Sequence, residues 1–164
     1  MTISTEIKKM INERRKGYSL DAAFYNSTEI YDLDIAAIFS QHWIYVAVEP
    51  DIAEPGDYIT VEIGKNSVII VRDDDMNVKA FHNVCRHRGS QLCDDEKGSV
   101  GNLVCPYHQW TYDLTGKLIH TEHMGEAFNP NDHNLKSVHV GNVAGLIFIC
   151  LADEPPEDFE TMRK

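Results

Sequence analysis

Two short segments hold the residues best suited to chemistry: Cys85-Arg86-His87 and, past a gap of 17 residues, Cys105-Pro106-Tyr107-His108. Each offers one thiolate and one imidazole, both metal-binding groups. An i,i+2 pair at an extended loop tip and an i,i+3 pair in a turn can each aim two side chains into one cavity. Two such loops facing each other supply Cys2His2 ligation. A zinc finger keeps its cysteines in one knuckle and its histidines on one helix, whereas here each loop is mixed. The mixed order suits a [2Fe-2S] centre with both cysteines on one iron and both histidines on the other, each loop reaching across the cluster. A zinc-stabilised binding domain and four unrelated core residues are the competing readings.

The residues around the ligands add a family resemblance. Asn83 to Gly89 (NVCRHRG) and Cys105 to Asp113 (CPYHQWTYD) resemble the Rieske motifs of ring-hydroxylating oxygenase α subunits. The resemblance implies a [2Fe-2S] cofactor held by Cys85, His87, Cys105 and His108, in a small, mainly β, antiparallel sandwich or barrel. High-potential respiratory Rieske proteins carry an extra cysteine in each ligand loop, and here Ser90 and Tyr107 stand at those places. Trp110 replaces the serine hydroxyl that donates toward a bridging sulfide in the high-potential type. Fewer hydrogen bonds to sulfur stabilise the added electron less, which sets the expected potential toward the bottom of the span of about −150 to +300 mV known for Rieske centres. Each imidazole ligand keeps a ring N–H facing outward, so the histidine edge is the expected electron exit. Gln109 occupies a position commonly glycine in the family, and a positive φ there would strain the second loop.

The elements that must position these loops follow from periodicity. Thr5 to Lys16 reads as a short amphipathic helix with Gly17 as its stop. A second helix is expected from about Ser27 to Gln41, started by a capping-box-like Asn26 and Glu29, with a face of Ile30, Leu33, Ala37 and Ile38, and it should run into a strand. From Trp43 the period becomes that of strands: Tyr58 to Ile63 alternates, Ser67 to Arg72 is β-branched, and Asp73 to Asn77 forms a polar turn before Val78 to His82. Further short strands are expected at Leu103 to Cys105, Gln109 to Asp113, Lys117 to His120, Ser137 to Val140 and Leu146 to Leu151. The expected organisation is a helical leader over 1–42, a Rieske domain over 43–151 and a linker over 152–164.

Composition fits one domain of 164 residues, whose 43% apolar content suffices for a core without disulfides. No apolar run is long enough to span a bilayer and the N-terminus lacks a signal-peptide core, so the chain is expected to be cytoplasmic. A net charge of −11 disfavours nucleic acid and anionic membranes as partners. That acidity reads as a solvated surface, with docking of a positively charged electron donor as the sharper alternative.

The resemblance extends upstream through Phe24 to Ile30, Ile38 to Trp43 and Pro55 to Tyr58, and downstream through Gly145 to Leu151 into Ala152 to Phe159, which is similar to the link into a catalytic domain. A free-standing Rieske ferredoxin, the second functional reading, normally lacks such a leader. The 2-His-1-carboxylate iron site needed for oxygen activation cannot be placed in this sequence. His120-Thr121-Glu122-His123 lacks metalloprotease spacing and reads as a solvated turn. The chain is therefore expected to relay single electrons from a reductase or ferredoxin to a mononuclear iron in an oxygenase catalytic domain outside it. It would be part of a mono- or dioxygenase, and the resemblance allows a homotrimer of the full-length protein. Within the family, Cys85 to Cys93 and the Ala152 to Phe159 link look most similar to oxygenases that demethylate betaine-like quaternary amines. Cys93 and Cys150 read as packing residues, His82 as structural or a hydrogen-bond partner of a ligand, and Trp110 and Tyr112 as a platform that keeps water from the cluster.

Overall fold

The β-branched run Val68-Ile69-Ile70-Val71 sets the architecture. All four side chains are fully buried, as a strand requires when both its faces are covered. The computed structural model describes residues 3–157 and 159–162, and among these ten strands form three antiparallel sheets. The strands are β1 (Ile44–Val48), β2 (Asp57–Ile63), β3 (Asn66–Arg72), β4 (Val78–His82), β5 (Lys97–Ser99), β6 (Leu103–Val104), β7 (Thr111–Tyr112), β8 (Leu118–His120), β9 (His139–Val143) and β10 (Leu146–Cys150). Strand β3 lies inside the sheet β4-β3-β2-β5, beside sheets β1-β10-β9 and β6-β7-β8.

Alternation along β3 divides the core in two. Val68 and Ile70 join Ala47, Ile147 and Ile149 of β1 and β10. Ile69 and Val71 point the other way and join Phe81, Leu103, Tyr112, Cys85 and Cys105. The central sheet thus has a structural layer on one face and the ligand-bearing layer on the other. Each fully buried aliphatic side chain contributes roughly 1.5–3 kcal/mol, so β3, with β2 and β4 beside it, fastens the layer of Cys85 and Cys105 to the rest.

Two hairpins use the same turn. Asp73 Oδ1 accepts from the backbone N–H groups of Asp75 and Asn77, and Asp113 Oδ1 accepts from those of Thr115 and Lys117. The fourth residue of each turn is left-handed: Met76 at φ 65° and Gly116 at φ 83°. Gly116 is required on a second count, because a Cβ there would lie 2.4 Å from the Phe81 ring. Asp73 is only 2% exposed. Burial pushes its carboxyl up, but the N–H groups of Asn77, the Lys79 ammonium and the N–H of Asp75 outweigh this and hold it below its usual 3.8. Asp73 should therefore stabilise the fold fully above pH 3.8, and that contribution should fade as pH falls through the lower folded-state value. Unfolding titrations of wild type and Asp73→Asn are expected to differ by roughly 1.5–3 kcal/mol at neutral pH and to converge in strong acid. A difference independent of pH would show that the carboxylate charge is not the source.

The first helix is shorter than expected. α1 spans Thr5–Asn12, capped by Ser4, whose Oγ accepts from the Ile7 N–H, and it ends well before Gly17 because only one face, at Ile7, finds a core to bury. A short α2 (Ala23–Asn26) was not foreseen, and α3 (Thr28–Asp34) is capped by Ser27 rather than Asn26. The expected continuation to Gln41 winds instead as a π-helical turn over Ile35–Phe39. This rotates the apolar stripe: Ile38 is exposed, while Ile35 meets Gly64 in the β2–β3 turn. The edge strand β5, Lys-Gly-Ser, carries no apolar signal and was also missed. The strand expected at Ser137 to Val140 begins later, at His139, with Ser137 forming a single bridge to Phe81.

The tail folds back onto the sheet β1-β10-β9. Trp43 Nε1 donates to the Pro156 carbonyl at 3.1 Å, and Phe159 packs against Trp43 with ring centroids 4.3 Å apart. Phe159, which begins α4 (Phe159–Met162), also lies against Gly141, where no side chain would fit. Residues 1–2 of the expected leader, and 158 and 163–164 of the expected linker, lie outside the described residues. Among the described residues no helix is long and apolar enough to cross a membrane.

Candidate metal centre

Each ligand segment is a tight loop joined to the β6-β7-β8 sheet or the core below it, and the two loops repeat one backbone pattern. In the first, the Gly89 N–H donates to the Cys85 carbonyl and the Cys85 N–H to that of Ser90. In the second, the Gln109 N–H donates to the Cys105 carbonyl and the Cys105 N–H to that of Trp110. Both patterns need a left-handed residue, supplied by Gly89 at φ 76° and by Gln109 at φ 57°. A side chain at positive φ costs about 1–2 kcal/mol outside glycine. Gln109→Gly is therefore expected to raise the unfolding free energy by about 1 kcal/mol, read by thermal or urea denaturation. A destabilised variant would mean the glutamine side chain holds the loop in some other way.

The fold sorts the four residues by type. Cys85 and Cys105, both 2% exposed or less, share one core cluster and lie close enough for Cys105 to push the Cys85 thiol further up. His87 and His108 face each other with ring centroids 4.8 Å apart. Each loop is mixed in sequence, but across the loops cysteine meets cysteine and histidine meets histidine. Among the described residues no three His, Cys, Asp or Glu side chains gather about one point as a single-ion site would require. A binuclear centre asks only two protein ligands of each iron.

The two histidines also show a specific vacancy in their bonding. Nδ1 of His87 and Nδ1 of His108 are buried polar atoms with no hydrogen-bond partner. Two orphaned ring nitrogens side by side are costly unless something binds them. They suit metal coordination through Nδ1, which leaves Nε2 of each ring facing outward. Burial lowers the basicity of His87, reinforced by Arg88 and by His108, so the ring is held neutral, as a ligand must be. Burial pushes the Cys85 thiol up, and a bound ferric ion would take the place of that proton.

Aromatic groups enclose the pair. Trp110 stacks on His87 at 4.7 Å with planes 10° apart, and Phe128 and His133 close its other edges. Tyr112 is fully buried; its hydroxyl accepts from the Arg86 N–H at 3.0 Å and lies 3.5 Å from Cys85 Sγ. Tyr112 thus touches the Cys85 sulfur directly, a hydrogen bond that the sequence alone did not reveal. Asn83 was missed too: its amide binds Ser67 Oγ and the Cys93 carbonyl, while its Oδ1 accepts from the Leu92 and Cys93 N–H groups. The only available signal was an asparagine just before a ligand cysteine.

The remaining candidates fall elsewhere. Cys93 is buried beside Tyr58, its thiol pushed up to about 11 mainly by burial, and Cys150 is buried in β10. His82 ends β4 and lines a pocket with Val84, Arg86 and Lys136. His120 and His123 pair with Glu122 at 3.8–3.9 Å on an exposed turn. Glu122, His123 and Met124 nevertheless border the gap in front of His87 and His108.

Comparison with known proteins agrees with this geometry. Residues 42–140 match the Rieske [2Fe-2S] domain, and the chain belongs to the Rieske family, whose cofactor is a [2Fe-2S] cluster. It is 46% identical over 153 residues to the glycine betaine monooxygenase oxygenase subunit of Chromohalobacter salexigens, covering 92% of this chain and 34% of that one. It superimposes on naphthalene 1,2-dioxygenase from Rhodococcus sp. bound to indole with a TM-score of 0.83 and 31% identity, over 93% of this chain and 37% of that one. It superimposes on a quaternary ammonium Rieske monooxygenase in complex with L-carnitine with a TM-score of 0.76 and 33% identity, over 82% and 39%. The expected family and the mainly β antiparallel fold are both found. The chain spans about a third of the length of the relatives it matches.

Proposed function

We propose that Cys85 and Cys105 hold one iron, and His87 and His108 through Nδ1 the other, of a [2Fe-2S] centre in an electron-transfer module of an oxygenase α subunit. The observation that carries this reading is the pair of buried, unpartnered Nδ1 atoms on the same two loops as two buried cysteines of one core cluster. Bound there, the centre supplies a one-electron carrier. The protein's own part is to keep water away with Trp110 and Phe128, to hold Cys85 Sγ through Tyr112, and to present the two outward imidazole edges to an acceptor.

The donor is a reductase or ferredoxin, and the acceptor a mononuclear iron in an oxygenase catalytic domain outside this chain. Residues 1–42 form the leader, 43–151 the Rieske domain, and 152–164 the passage toward that domain. The relatives support a substrate of the betaine-like quaternary amine class. A cytoplasmic location and a homotrimer of full-length subunits complete the reading.

The test is iron and labile-sulfide analysis with a visible spectrum and electron paramagnetic resonance of the reduced protein. Two irons and two sulfides per chain, with colour bleached by one electron, are expected. A colourless, zinc-loaded protein would overturn the assignment.

A further inference from the structure

The chain as a whole carries a net charge of −11, which on its own would favour a basic electron donor. The surface beside the first ligand loop has the opposite sign. His82, Val84, Arg86 and Lys136 line a pocket of about 250 Å³ that contains no acidic residue. Arg86 and Lys136 are exposed, and among the described residues neither forms an ion pair, while Arg88, two residues along, borders instead the gap in front of His87 and His108. Burial, then the Lys136 charge, lowers the basicity of His82, so the positive charge of the pocket rests on Arg86 and Lys136. Val84, 43% exposed, gives the patch an apolar centre.

The patch is also wired to the site. Arg86 follows Cys85 in the chain, and its N–H donates to the Tyr112 hydroxyl at 3.0 Å, which lies 3.5 Å from Cys85 Sγ. A carrier seated over Arg86 and Lys136 reaches the sulfur end of the centre through one peptide or two short polar contacts. It leaves the outward edges of His87 and His108 uncovered.

We propose that the Arg86–Lys136 pocket is the electron entry port and that it receives an acidic surface, a carboxylate side chain foremost, of the donor protein, while the histidine edge serves only the acceptor. The inference rests on the proposed function. One electron leaves the donor, which is oxidised, and reduces the oxidised centre of this chain; no bond is made or broken. Opposite charge at the port raises the encounter rate and makes it fall with salt, because surface charges are screened over about 8–10 Å at ordinary ionic strength.

The probe is an acidic plant-type [2Fe-2S] ferredoxin. Its binding in the oxidised form is measured by calorimetry, and its reduction of the iron-loaded chain by stopped flow, over a range of salt concentration. Wild type should bind and be reduced fastest at low salt. Arg86→Glu/Lys136→Glu should lose roughly tenfold or more in both binding and rate, with a flattened salt dependence, while its visible spectrum stays that of wild type. Arg86→Gln/Lys136→Gln should fall between and guards against misfolding of the reversed pair. Reduced methyl viologen, a cation, should react no more slowly with the reversed variant than with wild type. Unchanged ferredoxin binding and rate in both double variants would overturn the port, as would a loss seen instead in Arg88→Glu at the histidine edge with its spectrum intact. A chain with no reducible centre would overturn the proposed function beneath it, a result the spectrum reports before any donor is added.

Discussion

Cys105→Ala and Cys85→Ala are each expected to yield colourless protein without labile sulfide, the largest effect anticipated for any single substitution in this chain. Each thiol is at most 2% exposed and sits in the core cluster with Trp110 and Tyr112, so neither water nor a surface side chain can substitute for it. The thiolate is at once ligand and counter-charge to ferric iron. Its loss leaves one protein ligand where two are needed. Because ligation free energy is also folding free energy, both variants should melt at lower temperature than the iron-loaded parent. Cys93→Ala and Cys150→Ala are the controls. Both residues are buried, Cys93 beside Tyr58 and Cys150 in β10, and each variant should keep the full spectrum at some cost in packing. Colour retained in Cys105→Ala, or lost in Cys150→Ala, would mean that the ligands lie elsewhere.

What could be read in the sequence was local. The i,i+2 and i,i+3 spacings of the two Cys-His pairs depend only on loops of a few residues, and the β-branched run of β3 announces a strand covered on both faces. Alternation likewise marked β2, and the Asp73 to Asn77 turn followed from its own side chains. The rest depended on distant partners. Tyr112 lies 27 residues from the Cys85 sulfur it meets, and no periodicity encodes that meeting. Helix α3 gives way to a π-helical turn because Ile35 must reach Gly64 on the β2–β3 turn, a tertiary demand that overrides the 3.6-residue stripe. Strand β5 pairs with β2 through its backbone alone, so its side chains gave no notice. Net charge is likewise silent on distribution: a sum over the chain cannot show that Arg86 and Lys136 line one pocket.

Asn83→Ala is expected to be strongly destabilising. Asn83 is 1% exposed and joins three parts of the ligand layer: its Nδ2 donates to Ser67 Oγ on β3 at 3.1 Å and to the Cys93 carbonyl at 2.7 Å, while its Oδ1 accepts from Leu92 N at 3.0 Å and Cys93 N at 2.9 Å. Alanine would leave two buried N–H donors without partners, each costing about 1–3 kcal/mol. The Cys93 carbonyl keeps the Gln91 amide at 3.1 Å, so the total falls on the order of 2–6 kcal/mol, a large share of the 5–15 kcal/mol by which domains are usually stable. Asn83→Asp should fall between wild type and alanine, since its oxygens still accept both N–H groups but cannot donate to Ser67 or to Cys93. The segment after the first ligand loop is pinned by these bonds, so freeing it should also speed loss of the centre. Urea unfolding gives the first quantity, and the rate of bleaching by an iron chelator gives the second. An alanine variant within 1 kcal/mol of wild type, bleaching at the same rate, would show that the loop is held by the core beneath it and not by the asparagine.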